Sequence, residues 1–241
     1  MNIYSKSDVG RERSSNQDAF VAGEFENGAV FAVVCDGMGG ANGGKIASET
    51  AATLISDYIV KSYSPKMSVS GIENMLRAAI LSANEEVHTA SKQKDEYKGM
   101  GTTAVVALAT ENLIHIVHVG DSRAYLVGKD SIERLTQDHS IVQRMVSRGE
   151  ISEDEAKTHP QKNIITRAIG AESTVLCDYS IVIKPDNSAL LICTDGLTNY
   201  VDENTIFDIV NNEEQSLCAE KLVDKANEQG GGDNITVVLM F

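Results

Sequence analysis

The sequence predicts an α+β fold of layered type, a β-sandwich of two antiparallel sheets flanked by helices on both sides. Three observations lead there. Two adjacent helically periodic segments between residues 46 and 87 each carry one apolar face, and each needs a sheet to lie on. From Gly101 onward the pattern becomes one of strands joined by links as short as Thr110-Glu111-Asn112, which suit antiparallel hairpins and not parallel crossovers. Near-continuous apolar runs such as residues 29–35 read as buried strands.

Taken in order, residues 2–8 and 19–22 are short strands around a polar loop, and 29–35 is a buried strand. A glycine-rich turn, Gly37 to Gly44, leads into a helix whose face is Ile46, Thr50, Ala51, Leu54, Ile55, Tyr58 and Ile59. A second helix presents Ile72, Met75, Leu76, Ala79, Ile80, Ala83 and Val87. Strands follow at Thr102–Leu108, Leu113–Val119 and Arg123–Val127. Residues 139–157 are polar with helical spacing, and 158–173 have little periodicity. Strands at 175–183 and 188–193 flank the turn Pro185-Asp186-Asn187, helices fit 202–211 and 215–229, and Ile235–Phe241 closes the chain as a strand.

A chain of 241 residues with 42% hydrophobic content can bury a large core as one domain or two. Net charge is -14, without basic runs, which argues against nucleic acid as a partner. The four cysteines have no CxxC spacing; Cys35 and Cys193 sit inside apolar runs as small core residues of a reducing compartment. With no leader-like N-terminus and no apolar stretch near the ~20 residues of a membrane span, the chain is expected to be cytoplasmic.

Four aspartates stand at the ends of apolar runs or beside glycine: Asp36 in Val33-Val34-Cys35-Asp36-Gly37, Asp121 in Val119-Gly120-Asp121-Ser122, Asp195 in Cys193-Thr194-Asp195-Gly196, and Asp233 in Gly231-Gly232-Asp233-Asn234. Singly, an Asp-Gly pair is more often a hairpin turn. Repeated at strand ends, carboxylates are costly unless a cation compensates them. Hard oxygen donors without a Cys/His cluster point to magnesium or manganese and not zinc. Two such ions roughly 3.5–4 Å apart suit in-line phosphoryl displacement. Gly37 can bring its carbonyl close, having no side chain. Arg13 has a guanidinium that matches phosphate in a fork, although by composition a solvated loop is the simpler account of it. If the aspartates build one site, the chain's two ends must meet, which favours a single domain.

Gly10-x-x-Arg13-x-x-Asn16-Gln17-Asp18, Asp36-Gly37-Met38-Gly39-Gly40, Gly101-Thr102-Thr103, Val119-Gly120-Asp121-Ser122-Arg123, Asp138-His139-Ser140, Thr194-Asp195-Gly196-Leu197 and Gly232-Asp233-Asn234-Ile235-Thr236 together resemble the ordered motif set of the type 2C, metal-dependent serine/threonine protein phosphatases, in their compact bacterial form. The resemblance implies one catalytic domain over 1–241 with a flap at about 147–170. It implies hydrolysis of phosphoserine and phosphothreonine by a metal-held hydroxide, with no covalent enzyme intermediate, in opposition to a bacterial Ser/Thr kinase. By position, Asp36 resembles the bridging ligand of two Mn²⁺ or Mg²⁺ ions, Gly37 the carbonyl ligand of the second, and Asp195 and Asp233 the terminal ligands of the first. Asp121, with Asp195, resembles a weaker third-ion position. Asp18 resembles the carboxylate that orients the attacking water, Asn234 a neighbour of the last ligand, and Arg13 the phosphate-binding arginine. The implied partners are phosphorylated proteins, including a kinase, acted on by a monomer. Two departures stand out. Met38 replaces the histidine credited in some members with protonating the leaving group, and Ala41 stands where bacterial relatives often carry a histidine. His139, His115 and His118 are expected to be structural. A partner-binding module without turnover, and an esterase for small phosphates, are the competing readings.

Overall fold

The apolar run at residues 29–35 becomes part of β3 (Val30–Met38), on which the architecture turns. Side chains alternate between the faces of a strand. Val30, Ala32 and Val34 enter one core cluster, while Phe31, Val33 and Cys35 enter another. Both faces are thus buried, which is why the run shows no polar alternation until Asp36.

In the computed structural model residues 1–241 are described, apart from the side chain of Ala41, so the expectation attached to Ala41 lies outside the described residues. One sheet runs β2 (Asp18–Glu24), β3, β5 (Ala104–Ala109), β6 (Leu113–Val119), β9 (Asp178–Ile183), with β4 (Gly101–Thr102) beside the end of β3. The other runs β1 (Ile3–Asp8), β11 (Ile235–Met240), β10 (Ala189–Cys193), β7 (Arg123–Val127), β8 (Ile132–Arg134). Every pairing in both sheets is antiparallel. Val30, Ala32, Val105 and Ala107 of the first sheet meet Ala124, Leu190, Ile192 and Val238 of the second. Helices α1 (Gly40–Ser62) and α2 (Val69–Ser91) cover the outer face of the first sheet. Helices α6 (Glu203–Asn212) and α7 (Gln215–Glu228) cover the second. This is the expected helix–sheet–sheet–helix sandwich.

The buried face of α2 is the expected one, with Asn84 added. On α1 the face is rotated. Ala47, Ala51, Ile55 and Ile59 are fully buried and Ile46, Leu54 and Tyr58 lie at its margin, because alanines let the helix approach closely without standing out as apolar. The expected strand Thr102–Leu108 runs as β4 and β5, interrupted at Thr103. The expected strand 175–183 begins only at Asp178, since Val175 and Cys177 turn into the helix-covered core. Residues 139–157 form not one helix but two, α3 (Ile141–Ser147) and α4 (Glu153–Thr158), separated at Gly149 with its positive φ of 69°. Each has its own serine cap, Ser140 and Ser152, the latter in a capping box with Glu155. The short strand β8 and the four-residue α5 (Asp195–Thr198) lacked any periodic signal.

Pairing of β1 with β11, from Ile3↔Met240 to Asp8↔Ile235, brings the two ends of the chain together at one end of the sandwich.

Candidate metal centre

The aspartates converge by topology. Asp18 opens β2 and Asp36 lies near the end of β3, and the two are direct cross-strand partners. Like charges placed opposite one another are destabilising, so this pairing already asks for a cation. Asp121 sits in the turn between β6 and β7, Asp195 is the first residue of α5, and Asp233 precedes β11. Neither Asp-Gly pair is a hairpin turn: Asp36-Gly37 is within a strand and Asp195-Gly196 starts a helix. Asp36, Asp121, Asp195 and Asp233 line one cleft of about 520 Å³ together with Arg13, Gln17, Gly37, Met38, Thr103 and Asn234. Asp18 stands behind it, 9% exposed.

The hydrogen bonding shows which oxygens are left over. Asp18 Oδ2 accepts from the hydroxyls of Thr194 at 2.9 Å and Thr236 at 2.7 Å. Its Oδ1 is buried and has no partner. Asp195 Oδ2 accepts from Asn199 Nδ2 at 2.9 Å, and its Oδ1 is likewise buried without a partner. An unpaired buried carboxylate oxygen costs free energy unless something positive meets it. Burial is the main cause that raises these acids, and their neighbours add to it. Asp18 is pushed up to about 7, with Asp195 and Asp233 contributing. Asp121 rises to about 8, with Asp195 and Asp138 contributing. Asp36 is lifted well above 3.8 by burial and then by Asp18, Asp195, Asp121 and Asp233, and Asp195 is raised by burial and Asp233. A donor set of oxygens only, mutually repelling and partly orphaned, fits hard divalent cations.

Gly37, Arg13 and Asn234 line the same cleft. A Cβ on Gly37 would lie 2.1 Å from the Gly44 carbonyl oxygen and 2.6 Å from that of Gln17. Glycine is therefore required there by the first turn of α1, in addition to any close approach of its own carbonyl. Arg13 reaches the cleft and forms an ion pair with Asp233 at 2.8 Å, its own side chain 53% exposed. Asn234 is more than a neighbour of Asp233. Its Oδ1 accepts from the Gln17 N–H at 2.8 Å, and its Nδ2 donates to the carbonyls of Val9 at 2.9 Å and Ser15 at 3.0 Å. It pins both sides of the loop that carries Arg13.

Thr103, Thr194, Thr236 and Asn199 were not singled out from sequence. Thr103 accepts from the Asp36 N–H at 3.0 Å through its hydroxyl and donates its own N–H to the Asp36 carbonyl at 2.9 Å. The available signal was a threonine in an otherwise apolar run beside a motif aspartate, as in Cys193-Thr194-Asp195 and Ile235-Thr236-Val237. Among the described residues lining the cleft there is no histidine and no cysteine. His115 bonds Tyr179 at 2.8 Å and His118 bonds the Gln137 carbonyl at 2.9 Å, as packed, structural histidines. Cys35 and Cys193 are buried free thiols, and burial raises both, Cys193 to about 12.

With this geometry in hand, comparison with known proteins is direct. The protein phosphatase 2C family profile matches residues 10–226. The serine/threonine phosphatase stp of Listeria welshimeri is 39% identical over 243 residues, covering 100% of this chain and 95% of that protein. The solved S. agalactiae serine/threonine phosphatase superposes with a TM-score of 0.91 at 35% identity, over 99% of this chain and 98% of that one. The catalytic domain of the serine/threonine protein phosphatase PstP, solved in complex with two manganese ions, superposes with a TM-score of 0.85 at 28% identity, over 99% of this chain and 96% of that one.

Proposed function

Because this chain belongs to the protein phosphatase 2C family and is a protein serine/threonine phosphatase, we propose that Asp36, Gly37, Asp195 and Asp233 hold two divalent ions, with Asp121 and Asp195 contributing to a weaker third. The observation that carries the reading is the pair of buried, unpartnered oxygens, Asp18 Oδ1 and Asp195 Oδ1, within a cluster of carboxylates that raise one another. Mn²⁺ or Mg²⁺ bound there would acidify a water and offset the charge of the phosphoryl group. The chain's own residues do the rest. Arg13 grips the phosphate with its guanidinium fork, placed by the loop that Asn234 pins. Asp18, held through Oδ2 by two threonines, orients the attacking water with its free oxygen.

Water displaces the serine or threonine alkoxide from phosphorus in one step, giving inorganic phosphate and the free hydroxyl. No thiol competes as nucleophile, because the cysteines are buried away from the cleft or raised by burial. With Met38 and no histidine among the described residues lining the cleft, the proton for the leaving alkoxide would come from a water held by the metal. The substrates are phosphorylated proteins, a bacterial Ser/Thr kinase among them. The catalytic domain spans 1–241, with residues from about 147 to 170, which include α4, as its flap.

The test is phosphate release from phosphothreonine peptides against a free phosphometabolite, before and after exhaustive chelation. Turnover on peptide should vanish with the metal and return with manganese. Undiminished activity in the stripped protein would refute the mechanism, and preference for the metabolite would refute the substrate class.

A further inference from the structure

A cluster that the reaction does not use lies directly behind Asp121. His118, His139 and Asp178 place their donor atoms within 4.8 Å of one another, but the cluster is not an ion site. His118 Nε2 bonds the Gln137 carbonyl, and His139 Nδ1 accepts the Gly120 N–H at 3.1 Å. The position beside His139 Nε2 is taken by the Arg167 guanidinium, 3.0 Å away and bonded to Asp178 Oδ1 at 2.8 Å. The cation here is an arginine, and it comes from the segment that follows α4.

His139 grips Gly120 twice. Its ring nitrogen takes the Gly120 N–H, and its own backbone N–H donates to the Gly120 carbonyl at 2.9 Å. Gly120 has φ +103°, and a Cβ there would meet Thr103 at 2.5 Å, so the position takes glycine, whose permissive backbone is held in place by these bonds. An Nδ1 that accepts must carry its proton on Nε2, and Asp178 Oδ2 receives that proton at 3.2 Å. The ring is held flat by stacking on His118, centroids 4.6 Å apart at 17°. The other side of His139 holds the flap segment, since its carbonyl accepts the Thr166 N–H at 2.7 Å.

We propose that His139 is a positioning residue for the third ion: by fixing both backbone groups of Gly120 it aims Asp121 into the cleft, and Asp178 and Arg167 tie that aim to the segment that follows α4. The proposal rests on the reading of Asp121 as a ligand. It also makes the weak ion site sensitive to where Arg167 stands, so that displacement of the flap segment lowers occupancy of that site with no change in any ligand.

The experiment is titration of the metal-stripped full-length protein with Mn²⁺, free ion being read by its EPR signal. His139→Leu should lower the affinity of the weakest site by roughly tenfold or more, as loss of a partner behind a ligand does, and leave the two tighter sites unchanged. His139→Asn, whose Oδ1 can stand where Nδ1 stood, should recover most of that loss. Asp178→Ala, at a carboxylate 51% exposed and so tolerable to the fold, should lower the weak site a few-fold. Asp121→Asn is the control. If it removes the weak site while His139→Leu and Asp178→Ala leave it intact, the positioning proposal is overturned. If His139→Leu and His139→Asn weaken all sites alike, His139 serves only the fold and the proposal is again overturned. If Asp121→Asn itself leaves the weak site, the underlying reading of Asp121 fails first.

Discussion

Stripping the metals and then raising the pH is the perturbation that bears most directly on the carboxylate cluster. In the metal-free chain burial lifts Asp18 from 3.8 to about 7, with Asp195 and Asp233 adding to the effect, and burial with Asp18 lifts Asp36. Unfolding returns these groups to water. Because these folded-state pKa values are raised, the carboxylate cluster holds more protons over the interval than it does unfolded, and its contribution to unfolding free energy falls with rising pH. This outweighs the opposite contribution of the buried His118 and His139, which burial lowers. The contribution is complete below 3.8 and is lost as the pH rises through about 7. For Asp18 alone the shift of about three units corresponds to roughly 4 kcal/mol at ~1.4 kcal/mol per unit. Of this, on the order of 3 kcal/mol falls between about pH 5 and about pH 8. That is a large part of the roughly 5–15 kcal/mol by which a domain is stable. Urea unfolding in excess chelator at those two pH values reads it. The chelated protein should be less stable at the higher pH, manganese should restore it there by binding the folded state only, and Asp18→Asn should reduce the slope without abolishing it, since Asp36 and Asp121 are raised as well. A chelated protein whose stability is level, or rises, over that range would refute the reasoning.

Other perturbations separate the roles within the cleft. Asp36→Ala and Asp233→Asn should each lose nearly all turnover, whereas Asp121→Ala should keep two bound ions and lose rate; a kcat for Asp36→Ala within a few-fold of the parent would remove it as the bridging ligand. Arg13→Ala should cost roughly 1.5–3 kcal/mol of phosphate binding, or on the order of tenfold to a hundredfold in kcat/KM, read as raised KM at constant kcat on a phosphothreonine peptide. Asn234→Ala removes the bonds that Asn234 makes to the Gln17 N–H and to the Val9 and Ser15 carbonyls. It should lower stability by about 1 kcal/mol for each bond lost, since Ser15 is exposed and Val9 and Gln17 are only half-buried, and should raise KM through the loop of Arg13, an effect that a purely structural role would not produce.

The fold was legible where burial is two-sided or helical. The run from Val30 to Cys35, the face of α2 and the hairpin links all follow from period and polarity. What escaped has a common cause. The Gly101–Ala109 stretch looks uniform in sequence, yet Thr103 breaks it because its hydroxyl and amide are both spent on Asp36. The helical spacing at 139–157 continues through Gly149, whose positive φ ends α3. These are contacts made across the fold, and local pattern carries no record of them. For the candidate site, the convergence of Asp36, Asp121, Asp195 and Asp233 on one cleft could be anticipated from their repetition at strand ends. Thr194 and Thr236 are marked in the sequence only as polar residues in apolar runs; that they hold Asp18, and that Asn234 pins the loop of Arg13, depends on partners more than 40 residues away.

The ion pair between Arg13 and Asp233 bears on how an acidic protein of net charge -14 receives a phosphate dianion. Both side chains are partly solvated, 53% and 31% exposed, and an exposed pair is worth at most about 1 kcal/mol. Arg13 is therefore held near the cleft at little energetic cost to leave. Under the proposed reading Asp233 would ligate a divalent ion, and the Arg13 guanidinium would then be free to meet phosphate in a local field made positive. The same arginine then serves both states: it partly neutralises the carboxylates when no ion is bound, and it becomes available to phosphate when one is. A lysine would meet the first need, as a point charge. The second asks for a planar fork that fits two phosphate oxygens at once, so Arg13→Lys should retain the stability of the chelated protein and still lose affinity for the phosphopeptide.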